Sequence, residues 1–465
     1  MRRTMTAMRG LAVGSALLTP APAWAASGGP APGPIWSLPF IGVLLSIALL
    51  PIFAPRFWHR RMGMVALGWS AALLVPLALT SGVHVAAESA WHAILIEYLP
   101  FVTLLLALYT AAGGILVRGG PIGSPAGNTG LLVIGTMLAG VMGTTGAAMV
   151  LIHPLLHANA HRTRKTHLVV FFIALVANAG GATTPLGDPP LYLGFLHGVP
   201  FFWPVTHLTG PLVVLAAPLL IAFFWLDRRL AAADPSPGPR ERFHVRGLPN
   251  IALIGIAVAT VLGTGMWQPG EVVLLGQTVG IARLTGDAVF LAVTLASIAI
   301  TPRAVRQGNM FSWHPMAEVA TLFAAIFITI GPVLAMLAAG LEGPLAPVLR
   351  LTANAAGEPL PLAYFWLTGV LSAFLDNAPT YLVFFELAGG DPVHLTGPLN
   401  HVLTAISAGA VFFGALTYIG NAPNMMLRAI ASHRGVRMPG FFGYMGLSAM
   451  LLLPGFLLLS WVFFR

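Results

Sequence analysis

"ANAGGATTPLGDPP", Ala177 to Pro190, directly follows an apolar run, Leu168 to Leu175. Glycines and prolines, the poorest helix formers, arrive where a membrane helix should still be crossing, together with the carboxylate of Asp188. In hydrocarbon every backbone N–H and C=O needs a partner, so an unwound stretch at that depth survives only where protein or a water-filled cavity covers it. Pro185, Pro189 and Pro190 remove backbone donors, while Gly180, Gly181 and Gly187 permit turns. The half-helix ends left behind expose carbonyls on one side and N–H groups on the other. A kinked helix whose Gly and Pro only serve packing would account for one such residue, but not for this cluster.

The rest of the chain supplies the membrane. Of its 465 residues 57% are hydrophobic and 8% charged, against about a quarter charged in soluble domains. Apolar runs recur near 35–53, 63–81, 93–117, 166–198, 205–226, 250–267, 286–302, 316–340, 401–430 and 441–464, at the length a helix needs to span roughly 30 Å of hydrocarbon. Alternation of the barrel kind is missing, so the expectation is an all-α polytopic membrane protein with about ten transmembrane helices. There is no cysteine, which excludes disulfides, thioether haem, iron–sulfur clusters and thiolate zinc. Residues 1–25 carry Arg2, Arg3, Arg9, an apolar stretch and Ala23-Trp24-Ala25, a signal-peptide pattern with cleavage expected after Ala25 or Ala26. Cleavage would leave the mature amino terminus periplasmic in a bacterial inner membrane.

Threading from that start puts seventeen Arg and Lys on the cytoplasmic side and only Arg283, Arg350 and Arg465 outside. The net charge of +9 therefore reads as orientation and not as nucleic-acid binding. The split holds only if two further apolar segments are re-entrant hairpins: 129–160 entering from the cytoplasm and 361–387 from outside. A polar linker, residues 230–247, divides a first half (26–229, with the inward hairpin and the broken helix 166–198) from a second (248–465, with the outward hairpin and the broken helix 401–430). "TTPLGDPPLYL" from Thr183 echoes "LTYIGNAPNMML" from Leu416, pairing Thr184 with Thr417 and Asp188 with Asn421 at an offset of 233. The charge pattern runs the copies in opposite directions, an inverted-topology repeat.

Candidate site residues follow from this frame. The first half offers Thr144 and Thr145 at a hairpin tip, with Asn178, Thr183, Thr184 and Asp188 in the unwound stretch. The second offers Asp376 and Asn377 at the tip, with Thr417, Asn421 and Asn424. Nine acidic residues, among them Asp227 and Asp287, read as loop residues, whereas Glu97, Asp188, Glu318, Asp376 and Glu386 fall within apolar segments. A carboxylate near the bilayer centre costs about 3 kcal/mol and usually marks an ion or proton path. Glu97 and Glu318 are read as proton-path or helix-end residues, and Glu386 as interfacial. His153 and His157 have the i, i+4 spacing of a metal pair but read as interfacial non-ligands. No Ser-His-Asp, GxSxG, Walker or HExxH pattern appears, so an enzyme is not expected, nor any cofactor.

The motifs "NAGGATTPLGDPP", "LDNAP" and "YIGNAPN" resemble the ion-transporter superfamily, nearest to NhaD-type sodium/proton antiporters and the related citrate-transporter family. The resemblance covers nearly the whole chain after the leader. It implies a scaffold domain and a transport domain in a membrane-embedded homodimer working by alternating access, with cation sites built from hairpin tips and broken helices. Those sites match Thr144, Thr145, Asn178, Thr184, Asp188, Asp376, Asn377, Thr417 and Asn421, with Na⁺ expected at Asp188 and Asp376 and with Na⁺ and H⁺ as transported ions. "DPPL" follows the aspartate where NhaD-type chains are richer in hydroxyls, which places the chain in the citrate/antiporter branch. Sodium/proton antiport and cation-coupled carriage of citrate or another di- or tricarboxylate are the two functional expectations.

Overall fold

The computed structural model describes residues 32–119, 123–234 and 242–465. The expected leader, 1–25, lies outside the described residues. The first half contains α1 (Leu38–Phe53), α2 (Pro55–Ser81), α3 (Val83–Ala112), the hairpin arms α4 (Pro125–Met142) and α5 (Thr144–Ala158), then α6 (Thr166–Leu175), α7 (Pro189–Leu196) and α8 (Trp203–Ala231). The second contains α9 (Pro249–Met266), α10 (Ile281–Ile300), α11 (His314–Ala338), the arms α12 (Pro361–Leu375) and α13 (Asn377–Leu387), then α14 (Asn400–Phe413), α15 (Ala422–His433) and α16 (Phe441–Phe463). It is an all-α polytopic membrane protein.

Among the described residues ten helices are long and apolar enough to span a membrane, although the set differs from the expected ten in one member. Arm α4 qualifies by itself. The second broken span does not, because its unwinding between Gly414 and Asn421 divides it into α14 and α15. The two segments fold as helical hairpins, α4 with α5 and α12 with α13, and the shortest arm, α13, extends only about 16 Å at 1.5 Å per residue, too little to cross a membrane. The first broken helix lies deepest, as uncovered backbone in hydrocarbon would require: 83% of Thr166–Thr183 is buried, against 22% of α9. Span α3 begins ten residues earlier than expected and contains a π-helical turn, Ala93–Tyr98.

Several sequence readings are corrected. The linker is not wholly free, since α8 runs through Ala231 and His244–Arg246 pairs antiparallel with Leu116–Arg118 as β1 (Leu116–Arg118) and β2 (His244–Arg246). A second ribbon, β3 (Glu271–Leu274) with β4 (Gln277–Gly280), connects α9 to α10. Asp227 and Asp287 are not loop residues: they are buried on α8 and α10, where Asp287 accepts from Thr103 Oγ1 at 2.8 Å. His153 is buried rather than interfacial, its Nε2 2.9 Å from Asn309 O.

Asp227 is the hub of the end of the first hairpin. It pairs with Arg162, accepts from Asn128 Nδ2 at 2.9 Å, and lies 2.8 Å from His167 Nε2. Arg162 also donates to Gly123 O at 2.9 Å, so one buried charge pair ties α4, α6 and α8 together. Removing one member of a buried pair strands the other, at about 3–5 kcal/mol. Asp227→Ala is expected to lower the melting temperature in detergent sharply, and Asp227→Ala combined with Arg162→Leu to recover part of the loss.

Candidate functional site

Each hairpin reverses on one residue with a left-handed backbone. Gly143 has φ 79° and ψ 150°, and its counterpart at the 233 offset, Asp376, has φ 75° and ψ 146°. Glycine adopts this region freely, whereas an aspartate there carries about 1–3 kcal/mol of strain. The tips therefore share one geometry, and only the second pays for a carboxylate at the turn.

Beside each tip runs an unwound strand, braced by the same device in both halves. Thr184 Oγ1 donates to Gly140 O on the hairpin arm at 2.5 Å and accepts from Leu186 N at 3.1 Å. Thr417 Oγ1 donates to Ala373 O at 2.5 Å and accepts from Ile419 N at 3.2 Å. These hydroxyls satisfy backbone that the broken helices leave open. Gly181 and Gly187 cross so closely that a Cβ on Gly187 would meet Gly181 O at 2.2 Å, and Gly414 with Gly420 repeats the crossing.

Asparagines cross-link the two breaks. Asn178 Nδ2 donates to Ile173 O at 2.8 Å and to Asn424 Oδ1 at 2.9 Å, while Asn424 Nδ2 donates to Gly414 O at 2.7 Å and Thr417 O at 2.9 Å. The carbonyls at the break in the second half are thus capped from side chains, and one of those side chains is held by the first half. Both asparagines are fully buried.

Asp188 lies at the centre and is 2% exposed. Its Oδ1 accepts from Thr144 Oγ1 and from Asn421 Nδ2, each at 3.1 Å, and its Oδ2 from Asn377 Nδ2. Both hairpin tips and both broken helices thereby converge on one carboxylate. Every donor is neutral, and among the described residues no Arg or Lys hydrogen-bonds to it or pairs with it. Asp376, half-buried, lies within electrostatic reach of Asp188, and Asn377 Oδ1 is buried with no hydrogen-bond partner among the described residues. The nearest arginine on α15, Arg428, stacks over the Tyr418 ring at 4.6 Å.

Of the candidates from the sequence, Thr144, Asn178, Asp188, Asn377, Asn421 and Asn424 join one hydrogen-bonded network, and Thr184 and Thr417 brace its edges. Thr145 and Thr183 are half-buried beside it and make no hydrogen bond to Asp188. Glu97 and Glu318 lie elsewhere: Glu318 accepts from Trp58 Nε1 at 3.3 Å, and Glu97 faces His197. The reading of the motifs missed the strained turn at Asp376. Its signal was present, since the offset that pairs Thr184 with Thr417 also pairs Gly143 with Asp376.

A family model described as "Putative citrate transport" matches residues 31–464. The chain belongs to this family. No curated protein matches it. Membership and the helical architecture make it a multi-pass membrane transporter, and the network around Asp188 joins residues from both halves of the chain.

Because Gly143 shows what the turn prefers, Asp376→Gly is expected to melt at or above the wild-type temperature in detergent while losing transport. A variant that melts well below wild type would show that the Asp376 side chain holds the fold.

Proposed function

We propose that the protein is a secondary active transporter that exchanges Na⁺ for H⁺ by alternating access, with Asp188 and Asp376 binding the two ions in competition. One observation carries this reading: Asp188 is a buried carboxylate surrounded only by neutral donors. An ionised carboxylate removed from water and left without a positive partner is costly, so it demands either a proton or a metal cation. Asp376 beside it and the unpartnered Asn377 Oδ1 add oxygens of the hard type that Na⁺ prefers. The arginine distribution supports placement in the bacterial inner membrane with the amino terminus outside.

The family description favours a second reading, cation-coupled transport of citrate or another di- or tricarboxylate. Such a substrate needs positive charge or free N–H groups. Pro189 and Pro190 occupy the first two positions of α7 and leave no N–H there, Pro423 removes another at α15, and neither tip nor unwound strand contains Arg or Lys. These residues weigh against an anionic cargo and toward a cation.

In everted vesicles, Na⁺ or Li⁺ is expected to dissipate a preformed pH gradient. Asp188→Ala and Asp376→Ala should abolish the response, and Asn377→Ala, which removes one hydrogen bond to a charged group worth about 1.5–3 kcal/mol, should weaken it about tenfold or more. Movement of labelled citrate in the absence of any response to Na⁺ alone would refute antiport.

A further inference from the structure

Three titratable side chains from three elements meet at the far ends of α7 and α13. Both helices start at the site, at Asp188 and Asn377, and run side by side, with Tyr381 Oη packed at Gly194. At about 1.5 Å per residue their far ends lie roughly 13 Å from Asp188. His197 caps α7, Glu386 lies in the last turn of α13, and Glu97 lies in the π turn of α3. His197 Nε2 is 3.7 Å from Glu97 Oε1, with the two side chains 17% and 19% exposed. The His197 ring meets Phe385 edge-on at 5.9 Å, and Glu386 is within electrostatic reach of both His197 and Glu97.

Arg283 on α10 brackets the cluster, donating to Ile96 O at 3.2 Å and Leu196 O at 3.5 Å, the residues just before Glu97 and His197. Asp287, one turn further along α10, is engaged by Thr103, and Tyr192 Oη donates to Pro100 O at 3.3 Å. The short helix Pro392–Thr396, whose Pro392 packs at Gly198, adds Asp391 at its start and His394 to the charged and titratable groups on the elements around His197.

The hydrogen-bond geometry defines where the proton must be. His197 Nδ1 lies 2.9 Å from Leu193 O, and a carbonyl only accepts, so Nδ1 carries a hydrogen. In a neutral ring Nε2 would then point a lone pair at a carboxylate oxygen, which is repulsive. A second proton, on Nε2, makes the ring cationic and converts the 3.7 Å contact into an ion pair. Glu97 Oε2 is buried with no hydrogen-bond partner among the described residues.

We propose that Glu97, His197 and Glu386 form a proton-binding site that clasps the far ends of α7 and α13 to α3, and that its occupancy sets the pH dependence of transport at that face. The charge pattern assigns this face to the outside. Any movement of α7 and α13 against α3 has to part His197 from Glu97, and loss of the proton favours that parting. A π-helical turn, a feature that often marks functional sites, supplies the carboxylate. The proposal rests on the transporter reading of the Asp188 site but not on which cargo moves.

The test uses purified full-length protein in proteoliposomes. Exchange of labelled Na⁺, and separately of labelled citrate, is followed at fixed inner pH while the outer pH is stepped from about 5.5 to about 8.5, the range in which histidine changes charge. Wild type is expected to vary about fivefold or more across the range. His197→Gln and Glu97→Gln should flatten this below about twofold while keeping peak rates within about fivefold of wild type, and His153→Gln, at a buried histidine elsewhere, should keep the wild-type profile. In parallel, ¹⁵N-histidine NMR should find the Nε2 proton of His197 retained to a higher pH in the wild type than in Glu97→Gln. Wild-type profiles in both variants, or loss of that proton at the same pH in both proteins, would overturn the proposal. The NMR measurement needs no cargo, so failure to move either label would count against the transport assignment while leaving this site decided on its own readout.

Discussion

Everything at the centre of this protein depends on satisfying backbone that a membrane does not solvate. Two helices unwind inside the bundle, and each exposed carbonyl and N–H has to be met by protein. Thr184 and Thr417 hold the unwound strands to the hairpin arms, and Asn178 and Asn424 cap carbonyls in their own halves and bond to each other across the repeat. The asparagine bridge joins the two halves at the point where each is weakest. That requirement explains why amides and hydroxyls, and not charges, crowd these stretches.

Asp188 is the one place where the scheme leaves an imbalance. Three other elements aim neutral donors at it, which orients the carboxylate but does not cancel its charge. In a purely structural network an arginine would be the economical solution, and the chain uses one where stability is the aim, in the Arg162–Asp227 pair. The contrast separates two buried carboxylates of the same residue type. One is closed by a fixed cation, while the other has only neutral donors within hydrogen-bond distance. The strained turn at Asp376 belongs to the same economy, because a backbone that glycine would occupy without cost is held by a residue whose side chain is needed there.

The repeat is matched in backbone at the tips and breaks and broken in chemistry. At the 233 offset, Gly143 and Asp376 share a conformation, Thr184 and Thr417 share a bracing role, and the glycine crossings coincide. Asp188 faces Asn421, however, and Thr144 corresponds to Asn377. Two half-sites that would each be complete by symmetry have merged into one, with a carboxylate from a broken helix in one half and from a hairpin in the other.

Membrane class, helical architecture, the two breaks, the hairpins and most of the Asp188 network were legible in the sequence, because hydrocarbon makes few demands and makes them strictly: length, apolarity, and Gly, Pro and amides only where something covers them. Local pattern could not place Asp227 or Asp287, since a carboxylate near a helix end looks the same whether it meets water or a partner from another helix. It could not divide Glu97 from Glu318 either. Both stand at similar places in echoing spans, yet one meets Trp58 and the other meets His197 from the end of α7. The sequence by itself determined which backbone must break and which side chains could serve it. Only the tertiary structure decided which of those side chains meet, because contacts between residues nearly two hundred positions apart, such as Asp188 with Asn377, are set by how helices pack and leave no periodic trace along the chain.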